Sequence, residues 1–318
     1  MAEYRVTAVP RPADRREPER PEFPGCRPVR ISRDEITAYD GRIEYWDAAT
    51  EVAMVCEPVS TYHERPPQRL AALLTLIAQT RGSPIETFGA ADLLMRDADG
   101  AYLRILEADQ TVYLRPRATR PWGPAIEVGI DVLPDVVLEV DNTTDVRRGK
   151  LELYESWGFP EVWVEVPDTA SPSRPAGLRP GLTIHLLADE GYRTASSSRA
   201  FPGWTAAEIH IALNEDEVAD ATIAALRRVG RTLGAAEGTG PEDDPLLRAE
   251  RREGRVEGRV EALTAAVLQV FETRGVPVSA ALPRRLAELE GVSAEDLVRA
   301  ALECRDEADF LRLVGDRG

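Results

Sequence analysis

Residues 134–167 read PDVVLEVDNTTDVRRGKLELYESWGFPEVWVEVP, and this stretch decides the fold. The segment Val136–Val140 is a short run of apolar residues broken by one carboxylate, Glu139. Runs of this kind form strands buried on both faces. The NTTD that follows supplies helix caps, the spacing predicts a helix over 146–157, and Gly158 is its stop. Val162, Val164 and Val166 then alternate as a further strand. A strand, a helix and a strand, with a carboxylate and a lysine at the first junction, is an α/β active-site layout.

That lysine, Lys150, is the only one in the chain; the other 38 of its 39 basic residues are arginine. The two types are not equivalent, because lysine is a compact charge with a shiftable pKa and arginine a planar, permanently protonated fork. A glutamate inside a buried strand is costly unless it is paired or holds a metal. Glu139 and Lys150 are therefore the first candidates for chemistry. Asp135 faces the same side as Glu139 but lies roughly 13 Å along the strand, too far to share a metal. Asp141, about 7 Å along, is a weaker candidate ligand. A partner carboxylate has to come from a neighbouring strand, and Asp109, ending the strand YLRILEAD, is best placed. Two carboxylates and a lysine are what metal-dependent phosphodiester hydrolysis requires. Mg²⁺ takes oxygen ligands, the metal polarises the phosphoryl group and acidifies a water, and the ammonium stabilises developing charge.

Outward from this centre the chain divides by composition. Residues 1–30 are rich in proline and arginine and read as a disordered arm. RIEYWDAATEVAMVCE predicts two strands with a turn near 48–50, and residues 69–79 a buried helix with an almost all-round apolar surface. ADLLMRDADGAYLRILEAD is a hairpin turning at Asp99-Gly100, not a calcium loop. TIHLLADEGYRTAS is a second hairpin, and helices follow over 206–213 and 216–233. Residues 234–245 read as a linker and 246–318 as a helical tail, with the tandem GRVEGRVE and a capping box at Ser293 and Asp296. His63 reads as a polar residue at a helix start, and His185 and His210 as structural.

The 318 residues carry a net charge of −16 and 43% hydrophobic residues, those of a globular chain with a sizeable core. Residues 1–30, 31–204 and 205–318 carry +2, −10 and −8, so no segment is a basic saddle for nucleic acid. Cys26, Cys56 and Cys304 fit no disulfide framework or zinc spacing and read as packing or surface positions. No apolar leader or 18-residue apolar run is present, which points to the cytoplasm and away from membranes.

The stretch from Asp40 to Asp168 resembles the Uma-two family, restriction-endonuclease-like members of the PD-(D/E)xK nuclease superfamily. The resemblance is carried by GRIEYWD (41–47), STYHE (60–64), EADQTVYL (107–114), PDVVLEV (134–140) and KLELYESWGFPEVWVEVPD (150–168). It implies a mixed β-sheet flanked by helices and a catalytic set of Asp109, Glu139 and Lys150, with Glu44 as accessory carboxylate. The chain departs from the superfamily pattern at Ala108, where a proline precedes the first aspartate, and at Asp141, where a lysine is usual. Lys150, on the following helix, takes that lysine's part.

The expected architecture is thus α/β (α+β), with a nuclease-like domain over 31–233 and an all-α tail. The expected function is Mg²⁺- or Mn²⁺-dependent cleavage of DNA by a homodimer, with Asp109 and Glu139 as metal ligands. Hydrolysis of a small nucleotide is a variant of that expectation. The contrasting expectation is a nuclease-like binding or assembly protein acting through its helical tail. Plain structural roles stand beside each site residue: Glu139 paired to an arginine, Asp109 capping a strand end, and Glu44 paired with Arg42.

Overall fold

The computed structural model describes residues 21–56, 61–119, 121, 123–142, 145–172, 174–175, 177–287 and 292–315. Most of the expected Pro/Arg-rich arm, and Thr143-Thr144 of the capping stretch, lie outside them. The chain forms two compact units, Met1–Asp244 and Pro245–Gly318.

The first unit is built on a sheet of β1 (Cys26–Arg30), β2 (Tyr45–Asp47), β3 (Val52–Cys56), β4 (Glu86–Arg96), β5 (Tyr102–Tyr113), β6 (Ile126–Glu127), β7 (Val136–Val140), β8 (Glu161–Val166), β9 (Gly181–Ala188) and β10 (Gly191–Ala195). Its helices are α1 (Arg33–Ile36), α2 (Thr61–Arg81), α3 (Pro116–Thr119), α4 (Lys150–Trp157), α5 (Ala206–Asn214) and α6 (Asp220–Glu237). The strands run in the order β1-β3-β2-β5-β7-β8-β9-β10, with β4 also on β5 and β6 on β4. Only β7–β8 and β4–β6 are parallel, so the sheet is mixed.

The strand order leaves a gap beside β5. Tyr45 and Trp46 of β2 pair with Leu106 and Ile105, while Leu138 and Val137 of β7 pair with Gln110 and Thr111. β4 pairs with both of these stretches of β5 from the opposite edge. β2 and β7 therefore share one edge of β5 end to end, and residues 107–109 face the gap between them.

The alternation of β7 explains its unbroken apolar run. Val136, Leu138 and Val140 join a core with Leu70, Leu73 and Ile77 of α2 and with Trp163, Phe201 and Trp204. Val137 faces the other way, into a core with Leu153, Tyr154 and Trp157 of α4. Both faces of the strand are dry, and each fully buried aliphatic side chain contributes about 1.5–3 kcal/mol. α2 differs from its expectation in two ways. It starts eight residues earlier, through Pro66 and Pro67, both of which are buried. It also buries one stripe, Leu70, Leu73, Leu74 and Ile77, and leaves Leu76 exposed.

Three further segments differ from expectation. Residues 26–30 are a sheet strand, not part of a disordered arm. Cys26 and Cys56 are direct partners across β1 and β3 and form a disulfide, because strand pairing joins residues that sequence spacing keeps apart. Residues 234–237 complete α6, which ends at the left-handed Gly238 rather than at a linker. Gly230, inside the expected helix, and Gly234, at the start of the expected linker, are close-contact points. A Cβ built on Gly230 would lie 2.7 Å from Thr80 Cβ and 2.9 Å from the Ile77 carbonyl oxygen. Gly230→Ala is expected to destabilise the unit by about 1–3 kcal/mol, measured by urea denaturation, because backbone on α2 cannot yield.

At the end of β8, His210 Nδ1 meets Glu165 Oε1 at 2.8 Å and Nε2 meets Asp168 Oδ1 at 3.2 Å. The hydrogen bond to Glu165, helped by the charge of both carboxylates, raises the imidazole pKa against the opposing effect of burial. A raised histidine stabilises fully below its unfolded pKa of about 6.5, and that contribution is lost as pH rises through the folded value. Thermal scans across this window should show a stability loss on raising pH that His210→Gln flattens.

The second unit holds α7 (Pro245–Arg274), α8 (Leu282–Ala287), α9 (Ala294–Glu303) and α10 (Glu307–Gly315). Val267, Phe271, Leu297, Cys304 and Phe310 form its own core, and Arg274 donates to the carbonyls of Ala301 and Cys304. The Ser293 side chain caps α9 by accepting from Asp296 N–H. Among the described residues no helix is long and apolar enough to cross a membrane.

Candidate active site

Gly149, at φ 123°, separates a 3₁₀ turn (Val146–Arg148) from α4 and aims the first residue of the helix, Lys150, back at the sheet. A side chain at 149 would strike Pro21, 2.6 Å away, and Glu22 is bonded to Arg148 through its backbone N–H and its carboxylate, each at 2.8 Å. Phe23 stacks on Tyr45 at 5.0 Å. Residues 21–23 thus form a strap over the junction that sets Lys150.

The structure brings together all four residues expected from the sequence. Lys150 Nζ donates to Glu44 Oε1 at 2.5 Å and to Glu139 Oε2 at 2.7 Å. Glu44 precedes β2, Glu139 lies on β7, and Asp109 faces the gap between those strands. Asp109 Oδ2 accepts from Val140 N–H at 2.8 Å, so the aspartate does cap a strand while standing in the site. Arg42 is not the partner of Glu44. It pairs with Glu107, through Nε at 2.6 Å and Nη2 at 2.5 Å. Asp135 accepts from Leu114 N–H and is away from the cluster. Asp141 accepts from Val146 N–H, so it fastens the 3₁₀ turn.

The sequence reading missed two members. His63, on the early start of α2, places Nε2 3.3 Å from Asp109 Oδ2. Tyr154, one helical turn after Lys150, donates its hydroxyl to Glu139 Oε1. The i, i+4 spacing of Lys150 and Tyr154 was a usable signal, since such residues share a helix face.

The electrostatics follow from burial. Glu139, Lys150 and Tyr154 are no more than 4% exposed. Burial pushes the Glu139 carboxyl well above its usual range, against the pull of Lys150, with Asp109 and Glu44 adding repulsion. Burial would lower the Lys150 ammonium, but Glu139, Glu44 and Asp109 outweigh it and raise its pKa. Burial also opposes ionisation of Asp109; His63, Lys150 and the Val140 N–H overcome it and hold the carboxyl low. Burial pushes Glu107 up to about 6. Three carboxyl groups thus share one ammonium and one imidazole, an excess of acidic over basic groups that a divalent cation could offset.

A cleft of about 300 Å³, lined by Arg42, His63, Gln68, Ala90, Asp109 and Gln110 among others, opens onto Asp109. Ala90, opposite Asp109 on β4, is held at φ 48°, a costly conformation for alanine that collects at functional sites. No three His, Cys, Asp or Glu side chains among the described residues are grouped to hold a metal jointly. Mg²⁺ does not require such a cage, since it binds through one or two carboxylates together with waters and substrate phosphates. The donor chemistry and the excess of acidic groups both suit it.

No family model and no curated protein matches the chain. Among solved structures, a candidate nuclease of the DUF820 family from Anabaena variabilis is 11% identical, with 63% of this chain and 99% of that one covered and a TM-score of 0.38. A likeness so slight carries neither fold nor function, which rest on the residues described above.

Proposed function

We propose that the protein is a metal-dependent nuclease, with DNA as substrate and Mg²⁺ or Mn²⁺ as cofactor. The observation that supports this reading is the lone lysine, buried between Glu44 and Glu139 and acting on Asp109, which lines a cleft. Asp109 and Glu139 would hold the cation, which when bound polarises a phosphoryl oxygen and acidifies a water. Lys150 supplies a fixed positive charge at the position where charge develops on the phosphoryl group, and its burial makes that charge stronger than in water. Glu44, on the far side of Nζ, keeps the ammonium aimed. His63 orients Asp109.

A second reading, an assembly protein with a nuclease-like body, is favoured by the net charge of −16 and by α7, whose residues 248–255 are all exposed and rich in arginine and glutamate. The deciding experiment combines calorimetry of Mg²⁺ and Mn²⁺ binding with cleavage of supercoiled plasmid and labelled oligonucleotides. Metal binding and metal-dependent cleavage are expected. The absence of both metal binding and cleavage would sink the enzyme reading and transfer the function to the helical unit.

A further inference from the structure

α4 holds Glu139 with two side chains, not one. Lys150 takes Oε2 and Tyr154 takes Oε1, and the two residues stand four apart on one helix face. The Tyr154 ring is fully buried and packs edge-to-face on Phe159 at 5.0 Å, so it has little freedom to follow a moving carboxylate. Phe159 in turn follows Gly158, the left-handed stop of α4. The hydroxyl is thus fixed by the helix, its terminus and the core behind it.

A carboxylate offers about four lone-pair sites. With one donor on each oxygen, Glu139 has its torsions locked and still keeps a lone pair on each oxygen for a cation. Without the phenol, one oxygen is bare in an apolar wall and the carboxylate can rotate about its terminal bond.

We propose that Tyr154 is a positioning residue for the metal: it fixes the orientation in which Glu139 meets the cation, acting through Glu139 and touching neither metal nor substrate. The proposal rests on the reading of Glu139 as a metal-holding carboxylate. It adds a residue to which that reading assigned no role, on the general ground that hydrogen bonds to ligating carboxylates set affinity.

Tyr154→Phe keeps the ring, its stacking and its volume and deletes only the donor. In the full chain, its Mg²⁺ and Mn²⁺ affinities by calorimetry are expected to fall about 10–100-fold, with kcat for oligonucleotide cleavage lowered and KM unchanged. In a Glu139→Ala background the same substitution should change metal affinity no further, since the route through Glu139 is gone. Wild-type affinity in Tyr154→Phe would overturn the proposal. So would a lowered melting temperature with metal affinity intact, the mark of a purely structural tyrosine. Wild-type protein that binds neither cation would instead overturn the metal reading itself, and with it this role, so the two failures are told apart.

Discussion

Lys150→Ala is expected to abolish metal-dependent cleavage and to destabilise the first unit by about 3–5 kcal/mol, the usual cost of breaking a buried ion pair from one side. The substitution leaves Glu44 and Glu139 facing each other with their shared counter-charge removed, both no more than 6% exposed. The pH dependence follows in sign from Glu139, whose carboxyl is already raised by burial. Without the ammonium it rises further, so the loss is greatest above that pKa and shrinks as acid protonates the group. Urea denaturation at neutral and mildly acidic pH measures both parts. Lys150→Arg should not restore cleavage, because a planar fork does not fit where a compact ammonium meets two carboxylate oxygens at 2.5 and 2.7 Å. Unchanged stability in Lys150→Ala would show that the carboxylates carry no charge there, and the electrostatic account of the site would fail.

Glu139→Gln is expected to separate what Lys150→Ala combines. Cleavage should fall by more than about 100-fold, since loss of a ligand costs more than loss of a ligand's hydrogen-bond partner. Stability should be unchanged or higher. The amide keeps the volume and can still accept from Tyr154, Lys150 keeps Glu44, and one buried charge is removed with its desolvation cost. The site then behaves as one held against the stability of the fold, as functional sites commonly are. Calorimetric unfolding alongside the cleavage assay tests it. A large destabilisation would mean that Glu139 serves mainly as a structural partner of Lys150.

The centre of the fold was legible because its signals are local. The apolar run of β7, the glycine after Trp157 and the valine alternation of β8 each constrain the backbone within a few residues. Among the four expected site residues, Glu139 stood out as a charge in a dry strand and Lys150 as the sole lysine, whereas Asp109 was chosen as the end of a neighbouring strand and Glu44 followed only from the family resemblance. What sequence could not show is set by packing across long separations. The helix expected over 69–79 instead begins at Thr61 and runs through the buried Pro66 and Pro67, which brings His63 to Asp109. Gly234 read as the start of a linker, yet it is the point where α6 meets the Arg81 carbonyl. Cys26 and Cys56 are 30 residues apart and become neighbours only through the register of β1 on β3. Tyr154 carried a usable helical spacing, but nothing local marks a tyrosine's hydroxyl as bonded.

The strap over Gly149 has a consequence for synthesis on the ribosome. Glu22 is among the first described residues to emerge, but its partner Arg148 comes much later, and Glu44 waits 106 residues for Lys150. Contacts of such long span close late, after the loops between them have been ordered. A nascent chain that has not yet released residue 150 holds three acidic side chains without their cation and an N-terminal strap without an anchor. The cluster is therefore incomplete until α4 has emerged, when β1 to β7 are already translated and β8 to β10 are still to come.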